Sequence, residues 1–276
     1  FLKQILNQSE EHYRVKNSTM RNNKKQTYLV ALIFWLIVWE LTSRIIGQEI
    51  LLVSPVSAFQ RLFVLSLELD FWKTVLLSSA KISFGFFLGI VLGLILAIIS
   101  SLNRTVRILL EPIITTVQAT PVVSFIILCL IWISSKNLSI FISFLMVIPI
   151  IYRNVLSGID NIPKGLLEMA TVFRVDKKRL VRVIYVSEVF PYFRSACNIS
   201  CALAWKSGIA AEVIGIPKYS IGEQLYTSKV YLLTADLFAW TIVILLLSVI
   251  FKYLVLAIFD RLVIYLEGGN NGHHDS

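Results

Sequence analysis

Long apolar blocks recur six times along the chain. The first opens with twelve consecutive apolar residues, from Tyr28 to Trp39, and continues with interruptions to Ile46. Each block approaches the ~20 residues that a helix needs to cross ~30 Å of hydrocarbon. The pattern therefore predicts six membrane-spanning helices, over residues 28–46, 74–101, 113–133, 138–156, 195–214 and 237–258.

Composition supports a membrane protein. Of the 276 residues, 57% are hydrophobic and 16% are charged, whereas a soluble domain is about half apolar and about a quarter charged. Three Cys and three His argue against a disulfide scaffold and against a zinc site. We expect an all-α, polytopic membrane protein with no metal and no cofactor.

The basic residues between the spans predict the orientation of the chain. If the N-terminus is inside, the inner segments hold 17 Lys and Arg residues and the outer segments hold 5, which is the bias of the positive-inside rule. Residues 1–27 and 263–276 are then cytoplasmic tails around a transmembrane domain over residues 28–262. The net charge of +9 is thus mainly a topology signal. It does not indicate nucleic-acid binding, because the basic residues are divided among loops on one face of the membrane.

Small residues recur every four positions in the second span, at Gly85, Gly89 and Gly93. Without side chains there, a neighbouring backbone can approach closely. The spacing favours tight packing inside one helical bundle, and a dimer seam is the alternative.

Polar residues inside the third and fifth spans are candidates for a translocation path, because each is costly unless it faces protein or water. Gln118, Thr120 and Ser124 surround Pro121, which frees a backbone carbonyl and favours a kink. The fifth span carries Asn198, Lys206 and Glu212. Lys206 and Glu212 are six residues apart and point to different sides of the helix. The alternatives are hydrogen bonds between helices for the third span and structural ion pairs for the fifth.

The inner segment of about residues 158–192 predicts two short amphipathic helices. Pro163 can open the first helix, and Asp176 can cap the second by accepting backbone N–H bonds. Two short helices at right angles to a bundle form a protrusion suited to docking into a groove on a soluble partner. A plain basic loop is the alternative.

The same segment resembles the permease subunits of bacterial ATP-binding-cassette importers. Their Glu-Ala-Ala motif, with a Gly four residues after its last Ala and a later Pro, is matched here by Glu168-Met169-Ala170, by Arg174 in the Gly place and by Pro191. Further similarity, to the branch for nitrate, sulfonate, taurine and thiamine precursors, covers residues 28–262. It includes the segments LLVSPVSAF at 51–59, SFGF at 83–86, EP at 111–112, QATP at 118–121 and ALAWKSGIAAEVIG at 202–215.

The resemblance implies a non-catalytic subunit in the bacterial cell membrane. Two permease copies, expected to form a homodimer, would build the path. Separate ATPase subunits would bind beneath them, and an extracytoplasmic solute-binding protein would deliver the solute. Glu168 would contact the ATPase groove, Ala170 and Phe173 would pack into it, and Asp176 would hold the second helix. Arg174 replaces the turn-forming Gly and would reshape the turn.

Two other classes of protein compete with the importer. A secondary transporter or channel often shows internal repeats, and the sequence shows no convincing repeat. A membrane-embedded enzyme needs clustered acids or a His-Glu-x-x-His motif, and the predicted spans contain no His. The sequence also lacks a Gly-x-x-x-x-Gly-Lys-Ser/Thr phosphate loop, so ATP hydrolysis would require another chain.

Overall fold

The structure, a computed structural model, describes residue 27 and residues 30–268, with side chains as far as residue 261. Most of the two predicted tails lies outside these residues. Every regular element in the described part is helical. In chain order the helices are α1 (residues 30–46), α2 (Pro55–Ser66), α3 (Leu69–Leu102), α4 (Arg104–Ala119), α5 (Val122–Cys129), α6 (Ser135–Asp160), α7 (Lys164–Val172), α8 (Lys177–Leu180), α9 (Val186–Gly215), α10 (Ile221–Val230) and α11 (Thr234–Gly268), with a π-helical turn at Val181–Tyr185 between α8 and α9.

Three helices in the described residues, α3, α6 and α11, are each long and apolar enough to cross a membrane. Helices α4 and α5 are so only as a pair bent by 102°, which has the form of a broken span or of a re-entrant loop. Helices α1 and α9 lie where the sequence predicts the first and fifth spans. The all-α, polytopic class is therefore confirmed.

The third span is broken rather than kinked. Helix α4 ends at Ala119, α5 begins at Val122, and the two axes differ by 102°. Thr120 is extended, with φ −78° and ψ 132°, because the ring of Pro121 disfavours a helical conformation in the residue before it. The sequence-based prediction of one kinked helix over residues 113–133 was therefore wrong.

Helices α3, α6 and α9 form the centre of the bundle. The glycine stripe of α3 lies against α6: a β-carbon on Gly89 would lie 2.7 Å from Cβ of Val147, and one on Gly93 would lie 2.9 Å from Cβ of Ile151. Gly85 meets the carbonyl of Ile140 in the same way. The stripe thus packs inside the protomer, and α6 occupies the face that the dimer-seam alternative requires.

Ion pairs tie neighbouring helices together at the ends of the bundle. Arg61 of α2 pairs with Asp236 of α11, and the hydrogen bonds that the Arg61 guanidinium donates to that carboxylate raise the pKa of Arg61. At the other end of α11, Nε of Arg194 lies 2.7 Å from Oδ1 of Asp260. Such partly exposed pairs contribute about 1 kcal/mol or less each, so they align the helices more than they stabilise the fold.

Candidate functional site

One long helix links the two ends of the molecule. Helix α8 continues through the π-helical turn into α9, so that residues 177–215 form one continuous helical segment, which contains Pro191. We call this segment the connecting helix. The second short helix predicted from the sequence is therefore the first turn of the connecting helix and not a separate element. The π-helical turn interrupts the α-helical ladder near one end, as such turns often do at functional sites.

The connecting helix and α7 meet at a sharp turn, and we call residues 164–184 the elbow. Helix α7 follows directly after Pro163, and the carboxylate of Asp176 accepts the backbone N–H of Lys178 at 3.3 Å. The Asp176 cap predicted from the sequence is thus formed. The elbow forms an open groove of about 500 Å³, lined by side chains that include Met169, Phe173 and Leu180.

Arg174 makes the elbow turn in a conformation that normally favours glycine. Its φ is +49°. The N–H of Val175 donates to the carbonyl of Ala170 at 2.9 Å, and the N–H of Arg174 donates to the carbonyl of Thr171 at 3.1 Å. These two bonds are the Schellman ending of a helix. The turn therefore keeps its left-handed geometry although Arg replaces Gly, at the cost of about 1 kcal/mol.

Apolar side chains on α7 are left uncovered. Met169, Val172 and Phe173 lie on one face at helical spacing, with 56%, 78% and 73% of their surface exposed. We call these three residues the elbow face. Glu168 is exposed beside them, whereas Ala170 is only 8% exposed and packs inside the elbow. Sequence reasoning missed Met169 and Val172, although their spacing from Phe173 carried the signal.

A second exposed face runs along the middle of α9. Asn198, Ala202 and Lys206 follow one another at intervals of four residues, and all three are exposed. We call these residues the α9 face. Within the described part of the chain, the side chains of Asn198 and Lys206 have no hydrogen bond and no ion pair. A lysine at this depth is costly in contact with lipid, which favours a face that meets water or another protein.

The break between α4 and α5 holds the other predicted path residues. Gln118 and Ser124 are exposed, and the hydroxyl of Thr120 donates to the carbonyl of Thr116 at 2.8 Å. Helix α5 packs against α6 and α9 through Ile126 and Cys129. The break therefore lies beside α9, the helix that carries Lys206.

Glu212 is separate from the other path candidates, because it is fully buried. Its Oε2 accepts the hydroxyl of Ser78 in α3 at 2.8 Å and the N–H of Gly222 in α10 at 3.3 Å. The described residues provide Glu212 with no ion pair. No local pattern in the sequence marked Ser78 as its partner, since the two residues lie on different helices and far apart in the chain.

A match to a known protein family identifies the chain. Residues 89–265 match the family described as the binding-protein-dependent transport system inner membrane component. The chain belongs to this family. The match includes the glycine stripe from Gly89, the break after α4, the whole elbow and the connecting helix. The membership confirms the family resemblance that the sequence motifs indicated.

Curated members of this transporter family are similar to most of the chain. A bicarbonate transport system permease of Synechococcus elongatus is 23% identical, covering 71% of this chain and 68% of that protein. A nitrate import permease of the same organism is 24% identical, covering 68% and 71%. A formylaminopyrimidine transport permease of Halalkalibacterium halodurans is 26% identical over 181 residues, covering 65% and 72%.

The chain is thus a membrane-spanning permease subunit of an ATP-driven importer. As a member of this family it is an integral membrane protein, and its family acts together with solute-binding proteins. The secondary-transporter alternative does not fit this membership. The elbow face, the α9 face and the buried Glu212 are therefore three distinct parts of one transport subunit.

Proposed function

We propose that the elbow face docks a separate ATPase subunit and that the α9 face lines the path of a small anion. The single observation that carries this proposal is the connecting helix, which joins an exposed apolar elbow to an exposed lysine in the middle of the bundle. The connecting helix then carries a movement of the elbow to the path. The permease has no catalytic role of its own.

The elbow has the properties of a docking element. The exposed side chains of Met169, Val172 and Phe173 gain free energy when a partner covers them, at about 25 cal/mol per Å² of apolar surface. Glu168 adds a charge at the edge, which gives specificity to the contact. Ala170 supports the face from inside the elbow rather than entering the partner. In this arrangement the elbow and both termini are cytoplasmic, as the distribution of basic residues predicts.

The path forms where two copies of the permease meet. We propose a homodimer in which each copy turns its α9 face and its α4–α5 break, with Gln118, Thr120 and Ser124, toward the common axis. The unpaired Lys206 of each copy then supplies a positive charge to the path. A small anion is the solute class that this charge favours, and an extracytoplasmic binding protein delivers it to the α10 end of the bundle.

Docking is tested by substitution of Glu168. Glu168→Arg reverses the exposed charge beside the elbow face, and we expect the permease to remain in the membrane while its ATPase no longer co-purifies. Lys229→Glu, which reverses an exposed charge in α10 beyond the other end of the connecting helix, is the matched control. Undiminished co-purification of the ATPase with the Glu168 variant contradicts the docking role.

The path is tested by cysteine accessibility. Cys129, Cys197 and Cys201 are all buried, so they are first replaced by Ala and a single cysteine is introduced at Ala202. We expect a neutral, membrane-impermeant thiol reagent to modify this cysteine in the assembled transporter. A cysteine at Leu245, which is exposed on the apolar surface of α11, is expected to stay unmodified. Equal protection of both positions contradicts a water-filled path along α9.

The solute class is tested in the same background. With Lys206 present, an anionic thiol reagent is expected to react at position 202 faster than a cationic one. Lys206→Gln is expected to lower this ratio on the order of fivefold, because one nearby charge is removed. If Lys206→Gln leaves the ratio of the two reaction rates unchanged while the neutral reagent still modifies position 202, the proposed preference for an anion is wrong and the proposed water-filled path stands.

A further inference from the structure

The end of α9 opposite the elbow is fastened to α10 by buried polar groups. The first three backbone N–H groups of α10 each have a side-chain acceptor. Ile221 donates to Oγ of Ser78 at 2.9 Å, Gly222 donates to Oε2 of Glu212 at 3.3 Å, and Glu223 donates to Oγ of Ser220 at 3.1 Å. A helix usually caps its own N-terminus with a neighbouring residue. Here two of the three acceptors come from distant helices, α3 and α9.

Ser78 and Glu212 also bind each other, which closes a ring of hydrogen bonds. The hydroxyl of Ser78 donates to Oε2 of Glu212 at 2.8 Å while its oxygen accepts from Ile221. Both side chains are fully buried. We call Ser78, Glu212 and the first turn of α10 the α10 clasp. It connects α3, α9 and α10 at one point inside the bundle.

The backbone around the α10 clasp is shaped to permit this contact. A β-carbon on Gly222 would collide with the backbone and Cβ of Glu212, so only glycine allows α10 to lie this close to α9. The turn between the two helices contains Ile216 and Tyr219 with φ of +47° and +58°. Lys73 of α3 lies over the ring of Tyr219, with Nζ 3.6 Å from the centroid. Two residues of the turn are thus in a strained, left-handed conformation, and the side chain of Lys73 from α3 packs against one of them.

The position of the α10 clasp on the connecting helix suggests what it does. Glu212 lies near the end of the connecting helix that is opposite the elbow. Lys206 of the α9 face lies about two turns before it. We infer that Glu212 and Ser78 transmit the movement of the connecting helix to α10 and so to the external end of the path. Glu212 is thus a positioning residue for transport. This inference rests on the proposed function.

A matched pair of serines allows a sharp test. Ser79 follows Ser78 on α3, and its hydroxyl oxygen is buried with no hydrogen-bond partner in the described residues. Ser78→Ala removes the clasp hydroxyl, whereas Ser79→Ala removes a neighbouring hydroxyl that makes no hydrogen bond in these residues.

The experiment uses the complete transporter, purified with its ATPase subunits and reconstituted in vesicles. Uptake is measured with nitrate and with bicarbonate, together with the rate of ATP hydrolysis. We expect Ser78→Ala and Glu212→Ala each to lower the amount of anion moved per ATP hydrolysed by about tenfold. Ser79→Ala is expected to keep the normal ratio, because its hydroxyl makes no hydrogen bond in the described part of the chain. Glu212→Gln is also expected to keep it, because the Gln carbonyl can still accept both hydrogen bonds. The double variant Ser78→Ala/Glu212→Ala is expected to lose no more than either single variant.

Amide hydrogen exchange gives a second readout that does not depend on the solute. Ser78→Ala is expected to speed the exchange of Ile221 and Gly222 in the assembled transporter, and Ser79→Ala is expected to leave it unchanged. If Ser78→Ala and Ser79→Ala behave alike in both measurements while the ATPase still co-purifies, the clasp inference is wrong and the proposed function stands. Loss of the ATPase from every preparation instead contradicts the proposed function.

Discussion

The two ends of the connecting helix are built in opposite ways. At the elbow, Met169, Val172 and Phe173 expose apolar surface that nothing in the protomer covers. At the other end, Glu212 and Ser78 are buried, and their hydrogen bonds lie within the bundle. An end with uncovered apolar surface is suited to bind a partner, whereas an end with internal polar bonds is suited to hold its own chain. This difference fits the proposed function, in which the connecting helix receives a movement at its exposed end and passes it on at its buried end.

The largest expected effect comes from the exposed end. Phe173→Asp places a charge in the middle of the elbow face, and we expect transport and ATPase co-purification to be lost. The amount of permease in the membrane is expected to stay normal, because the side chain is 73% exposed. The matched control is Leu102→Asp, which changes a side chain that is 83% exposed at the end of α3. If both variants lose the ATPase equally, the elbow face is not a specific docking surface for the ATPase.

Two glycines compare the packing of the two ends directly. A β-carbon on Gly208 of α9 would lie 2.6 Å from Oγ of Ser143 and 2.7 Å from Cγ1 of Ile82, whereas one on Gly165 of α7 would meet nothing within 4 Å. Gly208→Leu is expected to destabilise the protein by about 3 kcal/mol. Gly165→Ala is expected to stabilise α7 by roughly 0.5–1 kcal/mol. Thermal unfolding in detergent measures both, and a normal midpoint for Gly208→Leu contradicts the tight packing of α9.

The smallest expected effect concerns the elbow turn. Arg174→Gly removes the cost of about 1 kcal/mol that a side chain pays in the left-handed conformation. We expect slower hydrogen exchange at Val175, whose N–H closes the turn, and an unchanged rate at Lys178, whose N–H is held by Asp176. Faster exchange at Val175 in this variant contradicts the Schellman geometry.

Sequence patterns predicted what depends on neighbours along one helix. The apolar blocks predicted six spans, of which α3, α6 and α11 are each long and apolar enough to cross a membrane. The spacing of Gly85, Gly89 and Gly93 predicted a packing face, and Asp176 was placed as a cap because capping is a local contact. The family resemblance pointed to the elbow. These features need only helical geometry, so they can be found without a fold.

Contacts between distant helices could not be predicted in the same way. The partner of Glu212 is Ser78, the partner of Arg61 is Asp236, and neither pairing has a local signature. Pro121 was expected to bend one helix and instead separates two, α4 and α5, and only the folded structure shows that α5 packs against α9. Ala170 was assigned to the docking surface although it is buried, since exposure depends on how the elbow folds back on itself.

The most direct test of the account compares the two ends in one measurement. A photo-cross-linking residue is placed at Val172 in the elbow face or at Tyr231 after α10, positions that are 78% and 71% exposed. The cross-linked partner in the assembled transporter is then identified by mass spectrometry. We predict that position 172 captures the ATPase subunit and that position 231 does not. Capture of the ATPase at position 231, with none at position 172, contradicts the orientation and the docking role of the elbow together.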